Sequence, residues 1–85
     1  MPTTKELDAV LKHANALARW NKCNSPTGHG VHFCMIDDVN ELSNCQHDGC
    51  WSIYDTQRDV QTAHYPSLSS ILCDYATDQL VWIED

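Results

Sequence analysis

Eighty-five residues, 42% of them hydrophobic and 20% charged, make one small globular domain and exclude a chain too polar to fold. The net charge of −7 is unevenly shared: Met1 to Lys22 carries four basic and two acidic residues, whereas Cys23 to Asp85 carries ten acidic residues against Arg58 alone. Such a body repels nucleic acid and anionic membrane, and it accelerates encounter with basic surfaces.

No apolar stretch approaches the roughly 20 residues that span a bilayer, and no apolar run follows a basic start. A cytoplasmic location is the expectation. Five cysteines cannot all pair within one chain, and in a reducing compartment they are expected as free thiols.

The clearest periodic segment is Thr3 to Trp20, an amphipathic helix. Leu7, Val10, Leu11, Ala14, Leu17 and Ala18 fall within an arc of roughly 120°, which is expected to be the buried face. Thr3 and Glu6 have the spacing of a capping box. Lys5, Lys12 and Arg19 line up as a basic stripe expected to face solvent, while Glu6, His13 and Trp20 border the apolar arc.

Asn21 to Gly30 is rich in breakers and reads as loop. Gly28-His29-Gly30 lacks the lysine and following helix of a phosphate loop. Val31 to Ile36 is almost continuously apolar and suits a central strand covered on both sides. Asp37, Asp38, Asn40 and Glu41 form an acidic turn or the first turn of a short helix.

Asp48-Gly49 predicts a hairpin, with a type I′ turn, between strands at Leu42–Gln46 and Cys50–Asp55. Asp55 to Asp59 is a second polar turn, after which Val60 to Tyr65 pairs back until Pro66 stops it. Ser67 caps a shorter helix to Tyr75, with Leu68, Ile71, Leu72 and Tyr75 at helical spacing; Gln79 to Glu84 closes the chain as a last strand. The expected class is α+β: a small antiparallel sheet of four to five strands, in the order α-β-β-β-β-α-β, with the helices on one or both faces.

The densest group of reactive side chains is Cys23, His29, His32, Cys34, Cys45, His47 and Cys50. A tetrahedral zinc site needs four such ligands. A zinc-stabilised interaction module built on Cys23, Cys34, Cys45, Cys50, His32 and His47 is therefore one reading, although no Cys-x2-Cys knuckle is present. The plainer reading is buried thiols and surface imidazoles.

A cysteine nucleophile needs a base and a cleft, and pairs such as Cys73 with His64 offer no strained turn or oxyanion loop to go with them. Histidine-based phosphodiester chemistry would need cations that the acidic body lacks. No enzyme is expected.

Turns favour aspartate for local hydrogen bonding, which accounts for part of the acidity. One basic residue in 63 exceeds that preference, because solubility is ordinarily met with mixed signs. In size, acidity and lack of a catalytic signature the chain resembles the small inhibitors that phages and mobile elements make against host nucleic-acid enzymes, including anti-CRISPR and antirestriction proteins.

The expectation that follows is a binding protein whose acidic surface docks on a basic, nucleic-acid-binding partner and competes for it. Asp37, Asp38, Glu41, Asp55 and Asp59 would be its contacts, with Tyr54 or Trp20 as aromatic anchor. No cofactor is needed in that reading. A homodimer, with the basic helix stripe of one copy on the acidic surface of the other, is a further arrangement.

Overall fold

The structure, a computed structural model, describes residues 3–23, 31–45 and 48–83. Its order is α1 (Thr4–Cys23), β1 (Val31–Met35), β2 (Asn40–Cys45), β3 (Trp51–Asp55), β4 (Val60–Thr62), α2 (Leu68–Ala76) and β5 (Trp82–Ile83). The strands form one antiparallel sheet in the order β1-β2-β3-β4-β5, the expected α+β meander. No helix of the described residues is long and apolar enough to cross a membrane.

Strand alternation sorts the sheet residues into two faces. Cys34 pairs with Leu42, Leu42 with Ile53, and Thr62 with Trp82, giving a row that faces the helices. Met35, Glu41, Tyr54, Gln61 and Ile83 form the adjacent row, pointing the other way. Ala16 and Trp20 of α1 and Ile71, Leu72 and Tyr75 of α2 share one core with Cys34, Ile36, Leu42 and Ile53. Both helices therefore cover the same face, and among the described residues no layer lies over the opposite one.

The helix ends follow their local chemistry. Glu6 N–H donates to Thr3 Oγ1 and Thr3 N–H donates to Glu6 Oε2, both at 3.2 Å, completing the capping box. Ser67 Oγ accepts from Ser70 N–H at 3.2 Å at the start of α2. At its end, Gln79 N–H reaches Asp74 O and Asp78 N–H reaches Tyr75 O, a Schellman closure. Asp78 takes the left-handed position (φ 60°) that glycine fills more easily.

Several local expectations are corrected. The face of α1 that packs inward carries Ala16 and Trp20, and of the expected arc Leu17 packs against the core, while Leu7, Val10 and Leu11 are 51%, 65% and 61% exposed. Trp20 is therefore a core residue, 2% exposed, meeting Trp51 edge to face at 4.8 Å between centroids. It is not a docking anchor.

The basic stripe is exposed, as expected, but borders the packed side: the Lys12 ammonium sits 4.5 Å from the centre of the Tyr75 ring, and Arg19 donates to the Ile36 carbonyl. α1 also continues through Asn21, Lys22 and Cys23, where a loop was expected, and joins β1 through a Cys23–Cys34 disulfide in place of two free thiols. The remainder of that predicted loop, residues 24–30, lies outside the described residues.

β1 is an edge strand, not a central one, covered only on the side of Cys34 and His32. The β2–β3 hairpin closes over four residues with Gly49 (φ 66°) in the left-handed region; Asp48 is not, so the two positive φ values of a type I′ turn are not met. β4 stops at Thr62, and Tyr65 pairs only as an isolated bridge with Trp51.

Thr62, fully buried, shows how the short strands stay paired: its Oγ1 accepts from Ile53 N–H at 2.9 Å and donates to Ala63 O at 3.0 Å. Thr62→Val keeps the shape but strands a buried N–H. Chemical denaturation should register a loss of about 1–3 kcal/mol, with Thr62→Ser closer to wild type.

Candidate functional site

In an up-and-down meander, alternate turns fall at the same end of the sheet. The β1–β2 turn (residues 36–39) and the β3–β4 turn (56–59) are thus neighbours, and Thr56 ties them together by donating N–H (3.0 Å) and Oγ1 (2.7 Å) to Val39 O. Five carboxylates singled out in the sequence, with Tyr54, are gathered at this end.

Two of the five have work inside the fold. Asp37 Oδ1 accepts from the Val39 and Asn40 N–H groups at 2.7 and 2.6 Å, and its Oδ2 accepts from Asn40 Nδ2 at 2.8 Å and the Tyr75 hydroxyl at 2.6 Å. Burial alone would raise its pKa. The four hydrogen bonds, led by Tyr75 and Asn40, outweigh burial and bring it down to about 2. Burial, followed by the facing Asp37 carboxylate, in turn pushes the Tyr75 hydroxyl up.

Asp55 is built in the same way. Its Oδ1 accepts from Gln57 and Arg58 N–H, both at 2.9 Å, while its Oδ2 pairs with Arg58 Nε at 2.9 Å. These bonds, those from Arg58 foremost, lower its pKa. Asp55 is only 8% exposed, which corrects its expected role as a partner contact. Arg58, which with Arg19 at the Ile36 carbonyl brings positive charge to this end, also lies 4.7 Å over the Trp82 ring.

What faces outward is therefore Asp38, exposed in the β1–β2 turn, with Glu41 and Asp59 beside Tyr54. Glu41 pairs across the strands with Tyr54, and the Tyr54 hydroxyl donates to Asp59, which raises the phenol's pKa. Asp59 sits at φ 57°, a backbone state that aspartate tolerates. On the same uncovered sheet face Phe33 is 64% and Met35 43% exposed, beside Ser43 and Glu41 respectively. Sequence reasoning missed both, because an unbroken apolar run hides which alternate residues lead to the core.

Of the expected metal ligands among the described residues, only Cys45 and Cys50 are brought together as potential donors. Cys23 and Cys34 are bonded to each other, His32 is buried on the core face, and Cys45 lies on the opposite face, out of their reach. His47 lies outside the described residues. Cys50, however, meets two residues that the zinc reading omitted: the donor atoms of Cys45, Asp48 and Cys50 lie within 4.8 Å of one another, and His64 Nδ1 is 3.5 Å from Cys50 Sγ. His64 thus turns to Cys50, while Cys73, the thiol named with it in the cysteine-nucleophile reading set aside above, is exposed on α2.

A groove of about 250 Å³ between the start of α1 and the end of α2 is lined by Lys5, Glu6, Ala9, Ala76, Thr77, Asp78 and Gln79. It is smaller than the roughly 300 Å³ at which small-molecule sites begin, and it holds no nucleophile beside a base.

The chain matches no protein-family model, no curated protein and no solved structure. Its function must therefore be argued from the geometry.

The Asp37 cluster carries a pH signature. A carboxyl depressed from its ordinary value to about 2 stabilises the fold above pH 4, and that contribution is lost as pH falls from about 4 to about 2. After discounting for partial exposure it is worth about 1–2 kcal/mol. Denaturation of wild type and Asp37→Asn across pH 2–7 should show the stability gap closing over that interval.

Proposed function

We propose that this protein is a non-enzymatic binding module that docks its acidic sheet end on a basic, nucleic-acid-binding surface of another protein and competes there with nucleic acid. The reading rests chiefly on one observation: the β1–β2 and β3–β4 turns are bonded side by side, so carboxylates from distant parts of the sequence share one end. Asp38, Glu41 and Asp59 supply the charge that a phosphate backbone would otherwise offer. Tyr54, and beside it Met35 and Phe33, supply apolar contact that lengthens residence once charge has steered the encounter.

Inhibition of the type made by anti-CRISPR or antirestriction proteins is the biological role that fits such a surface. Asp37 and Asp55 contribute indirectly, by holding the turns. In displacement assays on nucleic-acid-binding enzymes, inhibition of the target should weaken at least about tenfold between low and moderately high salt. Asp38→Asn, Glu41→Gln and Asp59→Asn combined should remove it without lowering thermal stability. Salt-independent inhibition, or a fully active triple variant, would count against the docking surface.

A second reading concerns assembly. A homodimer through the basic stripe is disfavoured by the engagement of Lys12 and Arg19 within the chain, but the exposed apolar face of α1 favours a different pairing. Leu7, Leu11, Ala14 and Ala18 follow the 4-3-4 spacing of a helix–helix seam. In an antiparallel pair about a two-fold axis midway between Leu11 and Ala14, Leu7 meets the second copy's Ala18 and Leu11 meets its Ala14.

Large side chains then face small ones throughout, a match that a second copy supplies automatically. Sedimentation should give the mass of two chains at micromolar concentration. Leu7→Glu with Leu11→Glu, both outside the core, should yield a folded monomer.

A further inference from the structure

We infer that the β2–β3 hairpin is a zinc-type metal site, with Cys45, Asp48, Cys50 and His64 as its four ligands. The set is new relative to the one expected from spacing. It drops Cys23, Cys34, His32 and His47 and takes its fourth donor from beyond β4.

The backbone gathers these donors for reasons unrelated to metal. Gly49 N–H donates to Cys45 O at 2.7 Å and Cys45 N–H to Cys50 O at 2.9 Å, closing the hairpin, and Asn44 Nδ2 adds a bond to Cys50 O at 3.2 Å. The left-handed Gly49 bends the chain so that Asp48 lies between the two cysteines in sequence and beside them in space. On the other side, the Trp51–Tyr65 bridge (2.8 and 2.7 Å) directs both aromatic residues inward. By strand alternation their neighbours Cys50 and His64 share the outer face.

The distances suit a tetrahedral ion. Bonds of about 2.3 Å to sulfur and 2.0–2.2 Å to nitrogen or oxygen place ligand atoms roughly 3.3–3.8 Å apart. Cys50 Sγ to His64 Nδ1 is 3.5 Å and Cys45 Sγ to Asp48 Oδ2 is 3.9 Å, with the three hairpin donors inside 4.8 Å. His64 stands outside that three-residue group, so its imidazole must swing from Cys50 toward Cys45 and Asp48 to complete the tetrahedron.

Two thiols, an imidazole and a carboxylate are a borderline-soft set that selects zinc or cobalt over magnesium or calcium, which take oxygen. Two thiols and a carboxylate crowd together at this hairpin, and a divalent cation turns such a crowding of potential anions into attraction. A bound ion would staple the β2–β3 hairpin to the segment leaving β4, at the end of the sheet opposite the acidic turns.

The test uses the full chain without a histidine tag, reduced with a phosphine. Titrated Co²⁺ should give the visible bands of a tetrahedral thiolate complex, saturating at one ion per chain, and Zn²⁺ should displace it. Cys45→Ser or Cys50→Ser should abolish the bands. His64→Ala and Asp48→Ala should each weaken binding at least about tenfold, since even outer partners of metal ligands are worth 10–100-fold.

Cys73→Ser and His47→Ala should change nothing. The assignment is overturned if the reduced chain takes no cobalt, if the bands survive loss of both hairpin cysteines, or if His47→Ala abolishes them while His64→Ala does not. Recovery of a Cys45–Cys50 disulfide from metal-free protein purified under reducing conditions would overturn it too.

Discussion

The packing of Trp20 against Trp51 sets the rotation of α1, and most of the structure's unusual features follow from that one contact. An indole buries a large apolar area, and a tryptophan left outside would forfeit more than any leucine of the helix. Trp20 therefore claims the inner face, with Ala16 small enough to bring the helix close. Most of the leucine arc, Leu7, Val10 and Leu11, is turned to the outside, and Leu17 at its margin packs on the core.

The same rotation accounts for the basic residues. Lys12 is carried over Tyr75 and Arg19 against the end of β1, where each offsets a polar or π-rich group of the packed layer. The helix thus reverses the usual amphipathic arrangement: its charged stripe helps join the layers and its apolar stripe is left free. Exposed apolar residues at coiled-coil spacing are an interface more naturally than an accident, because each leucine withheld from water is worth about 1.5–3 kcal/mol.

The sheet divides its chemistry between its two ends. Turns of matching parity bring the acidic segments together, and the intervening hairpin places thiols and an imidazole at the other end. Asp37 links the acidic end to the helical layer through Tyr75, so charge, turn geometry and packing are coupled there. The cysteine hairpin is tied to the helices through its neighbours: Trp51 meets Trp20 of α1, and Tyr65, bridged to Trp51, donates its hydroxyl to Asp74 of α2.

Much of the architecture is legible in local chemistry. Thr3 with Glu6, Ser67 before a helical spacing, Asp48-Gly49 and the polar turn at residues 55–59 are short-range signals, and each marks an element boundary because the backbone groups involved are only a few residues apart. They suffice for the element order and the meander. Charge segregation and the acidic turns are legible as well. The rotation of α1, the edge position of β1, the inward consumption of Asp37 and Asp55, and the meeting of Cys50 with His64 are not. Each depends on which of two chemically acceptable faces meets the core, and only the competition among Trp20, Trp51 and the sheet, settled when distant segments pack, makes that choice.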